Sequence, residues 1–200
     1  MKMSMFPHMA EVVPPGTSGH ARIEHFEVTR GESDWTRLRC AIGHADEYVP
    51  PGKYTRLMLH GDVMMSDTLY EQCTCHVFLR QSSGRVLIAG LGIGMVLPPV
   101  LAKDEVRSVT VVEKSADVIA LVEPHVRHPK LTVVQGDIFT WRPPRGAKYE
   151  TIWFDVWNGT CGDYWPEMKR LFQRYRRYLV RGGWMRCWEQ TKMKLEYERA

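Results

Sequence analysis

Two hundred residues, 44% hydrophobic and 25% charged, suffice for one well-buried domain with a small appendage and exclude a large multidomain assembly, a fibrous chain and a disordered one. The formal charge of +4 at pH 7 permits an anionic partner without demanding one, so no nucleic-acid partner is expected. No apolar run approaches the roughly 20 residues that cross a bilayer, and the first eight residues lack the apolar core of a signal peptide, so no membrane partner is expected and the default compartment is cytoplasmic.

Residues 1–20 hold Pro7, Pro14, Pro15, Gly16 and Gly19 with little periodic apolar pattern, and read as a flexible N-terminal arm without chemistry. Residues 21–72 read as a small antiparallel β appendage. Its β-prone runs fall at 22–29, 35–42, 54–59 and 63–65, the last two joined across His60-Gly61-Asp62. Pro50-Pro51-Gly52 sets the final hairpin apart, because neither proline can donate to a ladder.

From residue 73 to 200 apolar strands alternate with helical segments. Strands are expected at 85–89, 108–113, 131–134, 151–156 and 184–188, and the alternation predicts parallel neighbours joined by helical crossovers. Ser115 suits a helix N-cap, Asp117 the first turn, and Val118, Leu121 and Val122 an inward face that Pro124 ends. Pro166 fits the first turn of a helix running to about Val180, with Gly182-Gly183 as its stop. Pro98-Pro99 requires the helix after the first strand to start late or bend. After the fifth strand there is room for one short further strand at 193–198. A closing antiparallel pair is then missing, and an exposed sheet edge favours a homodimer.

The five cysteines, Cys40, Cys73, Cys75, Cys161 and Cys187, are an odd set that favours free thiols. The Cys73-Thr74-Cys75 spacing is tighter than that of zinc sites and no second pair matches it, so no metal is expected.

Four motifs carry chemistry. Arg85-Val86-Leu87-Ile88-Ala89 runs into Gly90-Leu91-Gly92-Ile93-Gly94, a strand feeding a glycine turn that lets a ligand approach the backbone. A dinucleotide fingerprint would need its third glycine at Met95, so the turn suits the amino-acid portion of S-adenosylmethionine better than a pyrophosphate. Glu113, with Lys114 beside it, closes the next strand about 20 residues on, where a carboxylate accepts from ribose hydroxyls. Gly136-Asp137-Ile138 ends the third strand, with Asp137 able to accept from an adenine amino group and Ile138 or Phe139 to cover the ring. Asp155 ends the apolar strand 151–156, a costly position for an unpaired charge, and should face the transfer site. Trp157 and Trp165 offer aromatic surfaces for a cationic amine or a planar acceptor, although packing is their commoner role.

In this order the motifs resemble the class I S-adenosylmethionine-dependent methyltransferases, and more closely their spermidine-synthase-like branch. Carrying that likeness are the hairpin at 57–65, the acidic, tyrosine-bearing segment Ser66-Asp67-Thr68-Leu69-Tyr70-Glu71, and the aliphatic Ile88 where typical methyltransferases place an acid. The resemblance implies an α/β fold: a Rossmann-like, mostly parallel sheet with a small N-terminal antiparallel β appendage. It implies S-adenosylmethionine, or its decarboxylated form, held by Gly90, Leu91, Gly92, Gly94, Glu113, Lys114, Asp137, Ile138 and Asp155. Asp155 would orient or deprotonate the acceptor, with Asp67, Tyr70 and Glu71 closing the site. Aminopropyltransferases carry Asp-x-x-Asp-Pro at the fourth strand, whereas Asn158 and Gly159 replace the second acid and the proline, and Ile93 stands where those enzymes place an acid in the turn. Methyl transfer to a small-molecule acceptor is therefore the expected activity, and aminopropyl transfer to a polyamine the alternative. A third reading is a noncatalytic binding module, supported by Arg170, Arg174, Arg177 and Arg181 on one helix face, although that stripe is most simply solvated.

Overall fold

A computed structural model describes residues 5–41 and 48–199. Two sheets organise them. The first is antiparallel, in the order β1 (Gly16–Ser18), β2 (Ala21–Val28), β3 (Gly52–Leu59), β4 (Asp62–Ser66). His60 and Gly61 both take positive φ, 54° and 94°, the two-residue geometry that matches the twist of a hairpin.

Two expectations for the N-terminal part are corrected. Residues 5–20 are no arm: Phe6, Met9 and Val13 are buried, β1 pairs with β2, and the His25 ring donates to the Val13 carbonyl at 2.9 Å. Burial of three apolar side chains outweighs the breaking effect of the prolines. The run at 35–42 is no strand but most of helix α1 (Arg30–Ala41), Ile42 lying outside the described residues. A reciprocal cap starts that helix, the Thr29 N–H donating to Glu32 Oε2 at 2.8 Å and the Glu32 N–H to Thr29 Oγ1 at 3.4 Å.

The second sheet is parallel throughout, in the order β7 (Leu131–Gln135), β6 (Val106–Glu113), β5 (Gly84–Ala89), β8 (Tyr149–Phe154), β9 (Leu179–Cys187). Helix α2 (Leu69–Gln81) leads into it, and α3 (Leu97–Leu101), α4 (Ala116–Val122) and α5 (Trp165–Tyr175) lie in its crossovers. Residues 86–89 of β5 are all buried, as expected of a central strand covered on both faces. Pro98 and Pro99 fall in the first turn of α3, where their missing N–H groups have no helical partner to lose, so the helix starts late. The Ser115 side chain accepts from the Val118 N–H at 3.3 Å and caps α4 as expected.

The C-terminal part differs from expectation. Helix α5 ends at Tyr175, a 3-10 turn spans Arg176–Tyr178, and β9 begins at Leu179, so Val180 is a strand residue. Gly182-Gly183 does not stop the helix. It forms an irregularity within β9, with Gly182 at φ 77° and a Cβ on Gly183 only 2.9 Å from the Glu150 carbonyl oxygen. The arginine stripe accordingly splits, with Arg170 and Arg174 on α5, Arg177 on the turn and Arg181 in β9. Residues 193–198, expected as a strand, belong to helix α6 (Gln190–Arg199), whose Met193 is buried, which leaves β9 as an edge among the described residues.

The chain leaves β5 towards β6 and β7, then returns to place β8 on the opposite side of β5. Open α/β sheets bind ligands outside the carboxyl ends of strands at such a switch point.

Candidate active site

A cavity of about 490 Å³ opens at that point, within the range of small-molecule sites, ~300–1,000 Å³. Its floor is the turn after β5. Gly90 and Gly92 take positive φ, 96° and 52°, and both line the cavity with Leu91. A methyl group on Gly90 would overlap the Asp155 carbonyl oxygen, a backbone atom that cannot move aside, and one on Gly92 would have to push the Met65 side chain away from the turn. Gly94 is not on the cavity. A Cβ there would lie 3.0 Å from Val126 and 3.2 Å from Val122, so this glycine seats the turn against α4 and the segment following it.

At one end Glu113 accepts from the Leu91 N–H at 2.7 Å and the Ser115 N–H at 2.8 Å, fixing the turn to the end of β6. Each of its oxygens keeps a further lone pair. Asp137 pairs with Lys114 at 3.0 Å and accepts from the Phe139 N–H at 2.9 Å. Burial alone would raise its carboxyl, but the Phe139 N–H and the Lys114 ammonium outweigh that and hold it below the usual carboxylate range. Glu113, Lys114, Asp137 and Ile138 all line the one cavity. The hairpin of the first sheet forms its roof, where Met65 Sδ accepts from the Ile93 N–H at 3.3 Å.

The other end is acidic. Asp155 is half-buried on the cavity wall, and burial pushes its carboxyl up to about 7. The Trp153 indole N–H works the other way only in part, since it is buried without a partner at hydrogen-bond geometry. Glu71 lines the same wall and rises to about 8, first through burial and then through repulsion by Asp155 and Glu189. Burial also drives the Cys75 and Cys187 thiols upward, away from thiolate chemistry. Trp157 lines the cavity with its indole N–H on Glu167 Oε2 at 3.0 Å, whereas Trp165 does not line it and carries Lys169 over its ring at 5.9 Å.

Two residues expected at the acceptor side lie elsewhere. Asp67 is buried off the cavity, its carboxylate accepting from the Thr55 N–H at 2.6 Å and the Met9 N–H at 3.0 Å, so it locks the first sheet to residues 5–20. Tyr70 packs against the core and does not line the cavity. Conversely, Trp153, Trp188 and Met65 line it and were not singled out from sequence, and Glu189 repels Glu71 from just beyond β9. Trp153 is the penultimate residue of β8 and Glu189 lies two residues beyond β9, at the strand ends where the sequence also points to Asp155.

The acidic wall sets a pH dependence. Glu71 and Asp155 bind protons more tightly folded than unfolded, so their contribution is fully present below their ordinary values and is lost as pH rises towards about 7–8. Asp137 and Glu150, held low, act oppositely and lose their contribution only as pH falls through the acid range. The melting temperature is expected to be higher at about pH 5.5 than at about pH 8, and Glu71→Gln to shrink the difference. A thermal melt at the two pH values checks this; an equal or reversed difference contradicts the burial of the two carboxyls.

No protein-family model matches the chain. Among solved structures, spermidine synthase from Thermotoga maritima superposes with a TM-score of 0.53 at 18% identity, over 94% of this chain and 62% of that one. The fold is that of spermidine synthase. The spermidine-synthase fold accounts for both sheets, since the superposition runs through the N-terminal strands as well as the parallel sheet. Polyamine aminopropyltransferase 1 of Streptomyces coelicolor is 32% identical over 113 residues, 50% of this chain and 21% of that protein. The CcbJ methyltransferase of Streptomyces caelestis is 23% identical with a TM-score of 0.43, over 56% of this chain and 45% of that one. The chain thus spans about a fifth of the curated relative and less than two thirds of either solved structure.

Proposed function

We propose that the chain binds S-adenosylmethionine and transfers its methyl group to the nitrogen of a small amine. One observation carries this reading: the Gly90–Gly92 turn, Glu113 and Asp137 open onto the same cavity whose far wall is Glu71 and Asp155. The residues fit the donor. Glu113 presents unused lone pairs at ribose depth, Asp137 with Ile138 and Phe139 forms an adenine slot, and the turn without side chains leaves room for the amino-acid portion.

When bound, the donor's sulfonium supplies the electrophilic carbon. Transfer would leave the bonding electron pair on sulfur and would require the acceptor nitrogen to give up one proton. Asp155 and Glu71 are placed to hold an alkylammonium and take that proton. A carboxyl near 7–8 is a far better base for an ammonium than one near 4, and burial is what raises these two. Trp157 lines the same cavity.

A second reading, aminopropyl transfer from decarboxylated S-adenosylmethionine, is favoured by a specific feature. Among the described residues lining the cavity, Lys114 is the only Lys or Arg, and it is paired with Asp137 at the adenine end. No lysine or arginine is therefore offered to a donor carboxylate beside the acidic wall. Incubation with each donor and a panel of di- and polyamines, read by mass spectrometry, separates the readings by a gain of one methyl or one aminopropyl unit. No gain with either donor would overturn both.

A further inference from the structure

Away from the cavity the charge distribution is lopsided. Residues 138–149 carry three Lys or Arg and no Asp or Glu, and residues 168–188 carry seven and none, in a chain whose formal charge is only +4. The fold brings these two stretches together. Arg174 Nη2 donates to the Thr140 carbonyl at 2.6 Å and the Trp141 carbonyl at 3.0 Å, and Lys148 Nζ donates to the Arg177 carbonyl at 2.6 Å. Between them lies a pocket of about 210 Å³ lined by Arg142, Arg174, Arg177 and Tyr178.

What positions these guanidinium groups does not neutralise them. Arg174 is held by backbone carbonyls, and Arg177 lies over the Tyr178 ring at 5.7 Å. Arg142 makes no hydrogen bond or ion pair among the described residues, and no carboxylate lines the pocket. Three like charges converging on one concavity repel one another unless an anion sits between them. The planar, multiply donating guanidinium matches phosphate oxygens in particular.

We infer that this pocket is a binding site for a single phosphoryl group, free or as a phosphomonoester, separate from the donor cavity. A small pocket with one aromatic wall, Tyr178, suits one phosphate and a short ester body, rather than a polyanion laid along the surface.

Calorimetry at constant ionic strength, without any donor present, tests it with inorganic phosphate and glucose 6-phosphate as probes. Arg174 holds the loop behind Ile138 and Phe139, so the variants are Arg142→Ala and Arg177→Ala, with circular dichroism to confirm folding. Saturable binding of one phosphate per chain, weakened about ten-fold or more in each folded variant, is the expected result. Tighter binding of the ester would identify a phosphorylated metabolite as the source, and equal binding would identify free phosphate. No saturable binding, binding unchanged in both variants, an effect reproduced by chloride, or affinity only for a single-stranded oligonucleotide that grows with its length would each overturn the inference. Since the readout is anion binding alone, failure of the methyl-transfer reading leaves it unaffected.

Discussion

Asp155→Asn is expected to lower turnover by about 10²–10⁴-fold while leaving donor affinity within a few-fold of the parent. Asparagine preserves the shape of the side chain and its capacity to accept a hydrogen bond, but it cannot take a proton. Asp155 directly follows β8 and interacts electrostatically with Glu71, while Glu113 and Asp137 stand at the ends of β6 and β7, two and three strands away in the sheet order. A separation of turnover from binding is therefore the signature of a residue that handles the acceptor. Asp67→Asn is the matched control: its carboxylate accepts two backbone N–H groups off the cavity, so it should lower the melting temperature and leave turnover per folded molecule unchanged. Steady-state kinetics with donor calorimetry on the same samples decides, and unchanged turnover in Asp155→Asn would remove that residue from the mechanism.

Gly90→Ala is expected to destabilise the fold by ~2–6 kcal/mol, a large fraction of the roughly 5–15 kcal/mol that holds a typical domain folded. Two effects add. At φ 96° an alanine is strained by about 1–3 kcal/mol. Its methyl group would also overlap the Asp155 carbonyl oxygen, an overpacking that adds about 1–3 kcal/mol. Neither backbone can yield easily, because the Gly90 N–H donates to the Val112 carbonyl at 2.9 Å and the Asp155 N–H to the Ala89 carbonyl at 2.8 Å, clamping β5 between its neighbours. Gly146→Ala isolates the first effect, since Gly146 has φ 81° and open space where a Cβ would stand. Denaturant midpoints should fall much further for Gly90→Ala than for Gly146→Ala. Equal losses would mean that no close approach exists at the turn.

The parallel sheet was legible because its strands are apolar runs alternating with helical segments, and the central pair β5 and β8 is buried almost throughout. The order of Gly90–Gly92, Glu113, Asp137 and Asp155 was legible for a related reason, as each follows such a run. The misread elements share another feature, that their outcome is decided by contacts distant in sequence or by one local bond. Alternating β-prone residues at 35–42 suggested a strand, yet the Thr29–Glu32 cap, itself written in the sequence as Thr-x-x-Glu, starts a helix there. The resemblance of the segment Ser66 to Glu71 to spermidine-synthase-like enzymes implies an active-site role for Asp67, but the Met9 N–H that engages it comes from a segment 58 residues away. Only the family resemblance brings Glu71 and Asp155 to one site; their proximity follows from α2 packing beside the carboxyl end of β8, where Phe78 stacks on Trp153, and no local pattern encodes it.

Calorimetric titration with S-adenosylmethionine, its decarboxylated form and S-adenosylhomocysteine bears most directly on the convergence of the glycine turn, Glu113 and Asp137 on one ligand. One-site binding of at least one of them is expected, with a dissociation constant in about the 1 μM–1 mM range of enzyme substrates, weakened by Glu113→Ala and by Asp137→Ala. Absence of binding by all three, or binding indifferent to both substitutions, would contradict the account.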